Sequence, residues 1–143
     1  MLEVNAATSV VVASLSFDHT GLYECFLRRL QGRQPFTLRM LVDEESFDSK
    51  DTKQQHPRLR EFAAFSQRMR VYLCRGEPGS RLGRFHAKAL VLDGRFMFCG
   101  SSNYTNKSLQ NFEFPLLRVA GPLVAEALQE LSEAQGRGRQ WHG

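Results

Sequence analysis

Cysteine is scarce in this chain and wrongly arranged for a disulfide scaffold. Cys25, Cys74 and Cys99 are odd in number, widely spaced and set among apolar residues, so they read as reduced core thiols in a reducing compartment. No Cys-x-x-Cys, no His-Glu-x-x-His and no Asp/Glu cluster at ligand spacing occurs, so neither a metal nor another cofactor is implied. No apolar run approaches the length that crosses a bilayer, and no charged-then-apolar leader opens the chain. The expectation is a soluble chain, cytoplasmic as given. Internal repeats and low-complexity tracts are absent as well, which excludes solenoids and long linkers.

What remains is ordinary in bulk and biased in detail. With 143 residues, 42% hydrophobic and 24% charged, the chain suits one domain that buries a real core. Its net charge is +4 and its pI about 9.3, the excess coming from arginine. Arg58, Arg60, Arg68, Arg70, Arg75, Arg81 and Arg84 crowd one region. Arginine's planar fork suits phosphate, so either a solvated surface or a surface for polyanions or anionic lipid is expected.

The apolar pattern predicts alternating strands and helices. Val10 to Phe17 reads as a buried strand, and Thr20 caps a helix carrying Leu22, Tyr23, Phe26, Leu27 and Leu30 that ends at Gly32. Phe36 to Val42 is the next strand, which makes a βαβ crossover. The polar segment 43–56 is expected as an exposed loop. Pro57 opens a helix with Leu59, Phe62, Phe65 and Met69 on one face, and Arg70 to Cys74 is a strand. Phe85 to Leu92 and Arg95 to Cys99 form a hairpin around Asp93-Gly94. Phe112 to Val119 is a further strand. Pro122 to Ala134 is a final helix with Leu123, Ala127, Leu128 and Leu131 inward, stopped by Gly136. The chain is expected to reach its first strand almost at once, to hold an ordered core over 8–135, and to fray over 136–143. The fold class is α/β, a mixed sheet flanked by helices in a single domain.

The chemistry concentrates in "RFHAKALVLDGRFMFCGSSN". Residues two apart on a strand share a face, so His86 and Lys88 project together. The small residues of Gly100-Ser101-Ser102-Asn103 permit close backbone approach to a ligand. Asp93 has a full explanation as a turn residue beside Gly94, while a direct chemical role is the alternative. Arg84, Tyr104 and His19 border the stretch and read equally well as packing or loop residues.

At these residues the sequence resembles the phospholipase D superfamily, whose pattern is His-x-Lys-x-x-x-x-Asp followed by Gly-Ser/Thr-x-Asn. The matching residues are His86, Lys88, Asp93, Gly100, Ser101 and Asn103. Glu113 after "SLQN" resembles the family's downstream glutamate, and "LSFDHTGLYECFLRRL" resembles its first strand and helix. The nearest look-alikes are the small single-motif members, of the mitochondrial cardiolipin hydrolase type and the bacterial endonuclease type. The resemblance implies a phospholipase D-like fold and metal-free phosphodiester hydrolysis through a covalent phosphohistidine. It implies His86 as nucleophile, Lys88, Ser101 and Asn103 as phosphate ligands, Asp93 in the catalytic set, and Glu113 behind the imidazole. That chemistry needs two histidines, and the chain supplies one in this setting. A homodimer sharing one site is therefore expected. The leading reading is hydrolysis of phospholipid headgroup bonds of the cardiolipin kind, with endonucleolytic cleavage of DNA or RNA and an inactive phosphate-binding module as the alternatives. The resemblance to the mitochondrial type would place the chain at a mitochondrial surface only with an N-terminal anchor outside these residues.

Overall fold

The computed structural model describes residues 2–14, 20–65, 67–75, 88–99 and 117–143. A short helix α1 (Leu2–Ala6) precedes β1 (Ser9–Ala13), so the chain does not enter its first strand directly. Then follow α2 (Thr20–Gln31), β2 (Thr37–Asp43), α3 (Lys50–Lys53), α4 (His56–Ala63) and β3 (Met69–Cys74). β4 (Ala89–Leu92), β5 (Phe96–Cys99), β6 (Leu117–Ala120), α5 (Pro122–Arg137) and β7 (Arg139–Trp141) complete the order. Among the described residues seven strands form one mixed sheet in the order β6-β5-β4-β1-β2-β3-β7.

β1 and β2 pair in parallel with Ser9 opposite Thr37, as expected for strands joined through a helix. β3 continues the parallel set beside β2, with Leu38 opposite Met69. β4 returns antiparallel to β1, with Ala13 opposite Ala89. Alternation along these central strands sends side chains to two different cores. Val10, Val12, Leu90 and Leu92 pack with Leu22, Phe26 and Leu30 of α2 and with Leu59 and Phe62 of α4. Val11, Ala13, Ala89 and Val91 pack with Val124, Leu131 and Ala134 of α5. The sheet is thus buried on both faces, which is why its central strands read as near-continuous apolar runs. Phe26, Phe36 and Phe62 are fully buried, each worth about 1.5–3 kcal/mol relative to exposure.

Several arginines are structural. Arg68 donates to the carbonyls of Leu30, Gly32, Arg29, Gln34 and Phe36 at 2.7–3.2 Å, satisfying backbone acceptors left over at the end of α2. Arg29 donates to Ala7 O at 2.6 Å and lies over the Phe36 ring. Arg58 lies over Tyr23.

Three expectations are corrected. Segment 43–56 is not an exposed loop: Asp43, Ser46, Phe47, Thr52, Gln55 and His56 are buried. Its polar groups bond one another, with Asp43 Oδ2 accepting from the Ser46 amide at 2.9 Å and from the Ser46 hydroxyl at 2.6 Å. His56 stacks on Phe47 at 4.2 Å between ring centroids. The tail is not frayed: β7 pairs antiparallel to β3, with Leu73 opposite Arg139 and Val71 opposite Trp141. The last helix runs past Gly136 to Arg137, and it turns Val124 inward while Leu123 is 60% exposed. No helix among the described residues is long and apolar enough to cross a membrane.

Candidate active site

The register fixes which residues share an edge of the sheet. Ala89, the first residue of β4, lies opposite Ala13 at the end of β1 and opposite Cys99 at the end of β5. Cys99 lies opposite Leu117, the first residue of β6. Lys88 immediately precedes Ala89 and is half-buried. At this one edge, therefore, β1 to β3 run out, β4 begins, β5 ends and β6 begins. Ser101 and Asn103 follow Cys99 by two and four positions along the chain, and Leu117 follows Glu113 by four.

Of the expected site residues, Lys88 and Asp93 are described; His86, Ser101, Asn103 and Glu113 lie outside the described residues, as do His19, Arg84 and Tyr104. The structure does not bring Lys88 and Asp93 together. They flank β4, and five residue steps of extended chain put them roughly 16 Å apart. Asp93 belongs to the hairpin turn at the other edge. Its φ is 53° and that of Gly94 is 64°, with Arg95 N donating to Leu92 O at 2.9 Å. Positive φ at both central residues is the turn whose twist matches the flanking strands.

The Asp93 carboxylate has a full set of partners there. Oδ1 accepts from the Thr8 amide at 2.8 Å, the Thr8 hydroxyl at 2.9 Å and the Ser9 amide at 2.9 Å. The Asp93 amide donates to Ser9 O at 2.8 Å. Partial burial pushes its pKa up, but the Ser9 and Thr8 amides and the Thr8 hydroxyl outweigh this and hold it below the usual carboxylate value. Asp93 is thus a clasp that ties the β4–β5 turn to the start of β1. An open depression of about 320 Å³ lined by Gly94, Arg95, Phe96, Ala120 and Gly121 also lies at this turn edge, away from Lys88.

A charged group that motif reasoning missed stands at the Lys88 edge. Glu44, next after β2, bonds Arg75, next after β3, and accepts from Arg139 Nε of β7 at 2.9 Å. The hydrogen bonds from Arg75 and then Arg139 hold the Glu44 carboxyl below its usual pKa, and Glu44 in turn raises that of Arg75. The buried Cys74 thiol beside them is pushed up to about 12 by desolvation, so it is no nucleophile at neutral pH. No group of three or more His, Cys, Asp or Glu that could hold a metal occurs among the described residues.

Residues 4–135 match the family described as cardiolipin synthase, PLD-like domain. The chain belongs to the phospholipase D superfamily. Its fold is similar to that of NucT from Helicobacter pylori, with a TM-score of 0.79 at 17% identity over 98% of this chain and 87% of that one. Nuc from Salmonella typhimurium, a phospholipase D family member, gives 0.77 at 15% identity over 99% and 90%. Phosphatidylserine synthase from Haemophilus influenzae gives 0.64 at 14% identity, over 94% of this chain but 34% of that one. Comparison with curated proteins returns no match. This phospholipase D-like domain thus carries its motif lysine at the edge where the parallel strands end, the usual place for ligand sites in open α/β sheets.

Proposed function

We propose that this domain is a phosphodiesterase that works through a covalent phosphohistidine, and that its substrate is nucleic acid. One observation carries the reading: Lys88, Cys99 and Leu117, the described residues that adjoin the segments holding His86, Ser101-Asn103 and Glu113, converge on one sheet edge.

The residue types suit the reaction. The neutral imidazole of His86 attacks phosphorus, and a P–N bond forms as the bond to the leaving oxygen breaks. The partner subunit's His86, as imidazolium, protonates that oxygen. The roles then reverse, and water displaces the imidazole to release a phosphomonoester. Lys88, Ser101 and Asn103 donate to the nonbridging oxygens, whose charge must be met as the transition state forms. Glu113 fixes the tautomer of His86 and stabilises its cation. A two-fold dimer supplies the second imidazole to one shared site.

Nucleic acid is favoured over lipid by the composition of the Lys88 edge, where Arg75 and Arg139 are exposed by 67% and 63%. Among the described residues the exposed large hydrophobic is Leu123, which follows β6 at the opposite, turn edge. The lipid reading draws support from the description of the matched family as a cardiolipin synthase domain. The test is parallel assay of the purified protein on bis(p-nitrophenyl) phosphate, single-stranded DNA and anionic phospholipid vesicles, with and without chelator. Chelator-resistant cleavage of the diester and of DNA is expected. Loss of activity with chelator, or cleavage of lipid alone, would overturn the mechanism or the substrate respectively. Mixing His86→Ala chains with wild type tests the shared site: full activity in heterodimers would defeat it.

A further inference from the structure

The parallel register extends past the strand ends and aligns charged residues in a row. Leu73 lies opposite both Val42 and Arg139, and Ala13 lies opposite both Leu41 and Ala89. One step further along, Lys88, Ser14, Val42, Leu73 and Arg139 therefore share a level across the sheet. Glu44 and Arg75 stand two steps beyond that level, joined by the Glu44 amide donating to Cys74 O at 2.9 Å. Alternation also gives them one face. Lys88 has the parity of Leu90 and Leu92, Glu44 that of Val42, and Arg75 and Arg139 that of Leu73. All of these apolar residues point into the core under α2 and α4.

Strand spacing converts the row into distances. Three strand spacings and two residue steps put the backbone of Arg75 about 16 Å from that of Lys88, and four spacings put that of Arg139 about 19 Å away. A ligand that carries several phosphates in line, as a nucleic-acid strand does, can span that separation and meet Lys88 and the arginine pair together. Glu44 is 18% exposed against 67% and 63% for the two arginines, so it holds their forks from beneath and leaves their donors open to solvent. Within that trio one carboxylate meets two guanidiniums.

We propose that Arg75 and Arg139, held by Glu44, form a second phosphate station that binds the backbone of a single-stranded nucleic acid flanking the diester at Lys88. The proposal rests on the phosphodiesterase reading for the identity of the Lys88 end, but its own observable is binding. A strand laid along the strand ends neutralises both guanidiniums and displaces their counterions, so affinity becomes salt-dependent there. Glu44 opposes the bound phosphates while it positions the arginines.

The experiment measures binding of a fluorescein-labelled oligothymidylate to the full chain across a salt series, beside binding to phosphatidylglycerol vesicles. Arg75→Gln and Arg139→Gln should each weaken oligonucleotide binding and lower the slope of log K against log salt by about 0.7. Glu44→Gln should act in the opposite direction and tighten binding. A purely structural strut predicts otherwise: all three variants would lower the melting temperature and leave the slope unchanged, and that result would overturn the station. If Arg139→Gln does not fold, Glu44→Gln and Arg75→Gln still decide the sign. Loss confined to vesicle binding would also overturn it, in favour of a lipid surface. Wild type that binds the oligonucleotide with an arginine-dependent slope yet hydrolyses no diester would uphold the station and defeat the hydrolase reading. Diester hydrolysis without salt-sensitive binding would do the reverse.

Discussion

The two ends of β4 belong to one sheet and are built in opposite ways. At the turn end, a single carboxylate takes three hydrogen bonds from Thr8 and Ser9. At the other end, near Lys88, one carboxylate, Glu44, holds two largely exposed arginines, Arg75 and Arg139. Asp93 and Lys88 belong to one motif in sequence, yet the strand between them separates the residue that clasps the hairpin from the residue we propose meets the ligand. The lesson is that motif spacing can encode a lever: one residue sets the register of β4, and the other is presented by it.

The largest expected effect breaks the chemical end. Lys88→Gln should reduce kcat by about 10²–10³, the cost of losing one preorganised donor to a developing oxyanion, and His86→Ala should abolish turnover. The measurement is steady-state hydrolysis of bis(p-nitrophenyl) phosphate. Asp93→Ala should instead leave kcat within a few-fold below the melting transition. It should destabilise the fold by about 1–2 kcal/mol, because amides of Thr8 and Ser9 lose a charged acceptor that water only partly replaces. An Asp93→Ala protein that stays fully stable but loses kcat as Lys88→Gln does would erase the contrast between the ends.

The same clasp predicts a direction with pH. The Asp93 pKa is lower folded than unfolded, so the native state favours the ionised form. Its contribution is present above the ordinary carboxylate range and is lost as pH falls through the depressed folded value. Wild type should therefore lose more stability on acidification than Asp93→Asn, whose neutral amide does not titrate. Denaturant midpoints at neutral pH and near pH 3 check this; equal losses in both proteins would remove the clasp from the account of acid stability.

Much of this was legible because apolar patterning and turn chemistry act locally. The β1–α2–β2 unit followed from β-branched residues and from Leu22, Phe26 and Leu30 at helical spacing, and the hairpin followed from Asp93-Gly94. Segment 43–56 was misread because its polar residues bond inward: Thr52 Oγ1 donates to Phe47 O at 3.1 Å, and His56 Nε2 meets Phe47 O at 2.8 Å. Composition does not distinguish a polar residue that turns inward from one that is solvated. β7 was invisible because three residues, Arg-Gln-Trp, show no period; it exists because Trp141 packs edge-on against Phe47 at 5.2 Å and Gly138 lets the chain pass Leu73. A Cβ on Gly138 would sit 1.9 Å from Leu73 O. Of the proposed site, the motif points to Lys88, but nothing local announced that Arg75 and Arg139 meet at Glu44, since that depends on the order of strands in the sheet.

A smaller effect sharpens the turn end. Gly94 has φ +64°, while a Cβ there would meet only Leu128 Cδ1 at an ordinary 3.6 Å. Gly94→Ala should thus cost about 1–2 kcal/mol from left-handed backbone alone, with no added clash. Equilibrium unfolding reads it, and a cost well above that range would mean that the hairpin shifts against α5.

The smallest expected effect bears on the substrate. Leu123 opens α5 at 60% exposure, and α5 follows β6, whose last residue, Ala120, lies opposite Phe96 beside the turn. Leu123 is therefore at the Asp93 end, away from the phosphate chemistry. Leu123→Gln removes no buried contact and should change stability by less than about 0.5 kcal/mol. It should leave both oligonucleotide and vesicle binding as they were. A tenfold loss of vesicle binding would instead make the turn end a lipid-facing surface, because an exposed leucine that inserts at a membrane interface contributes through its buried apolar area. The two ends of β4 would then divide membrane attachment from catalysis, and the case for nucleic acid at the Lys88 edge would rest on the arginine pair alone.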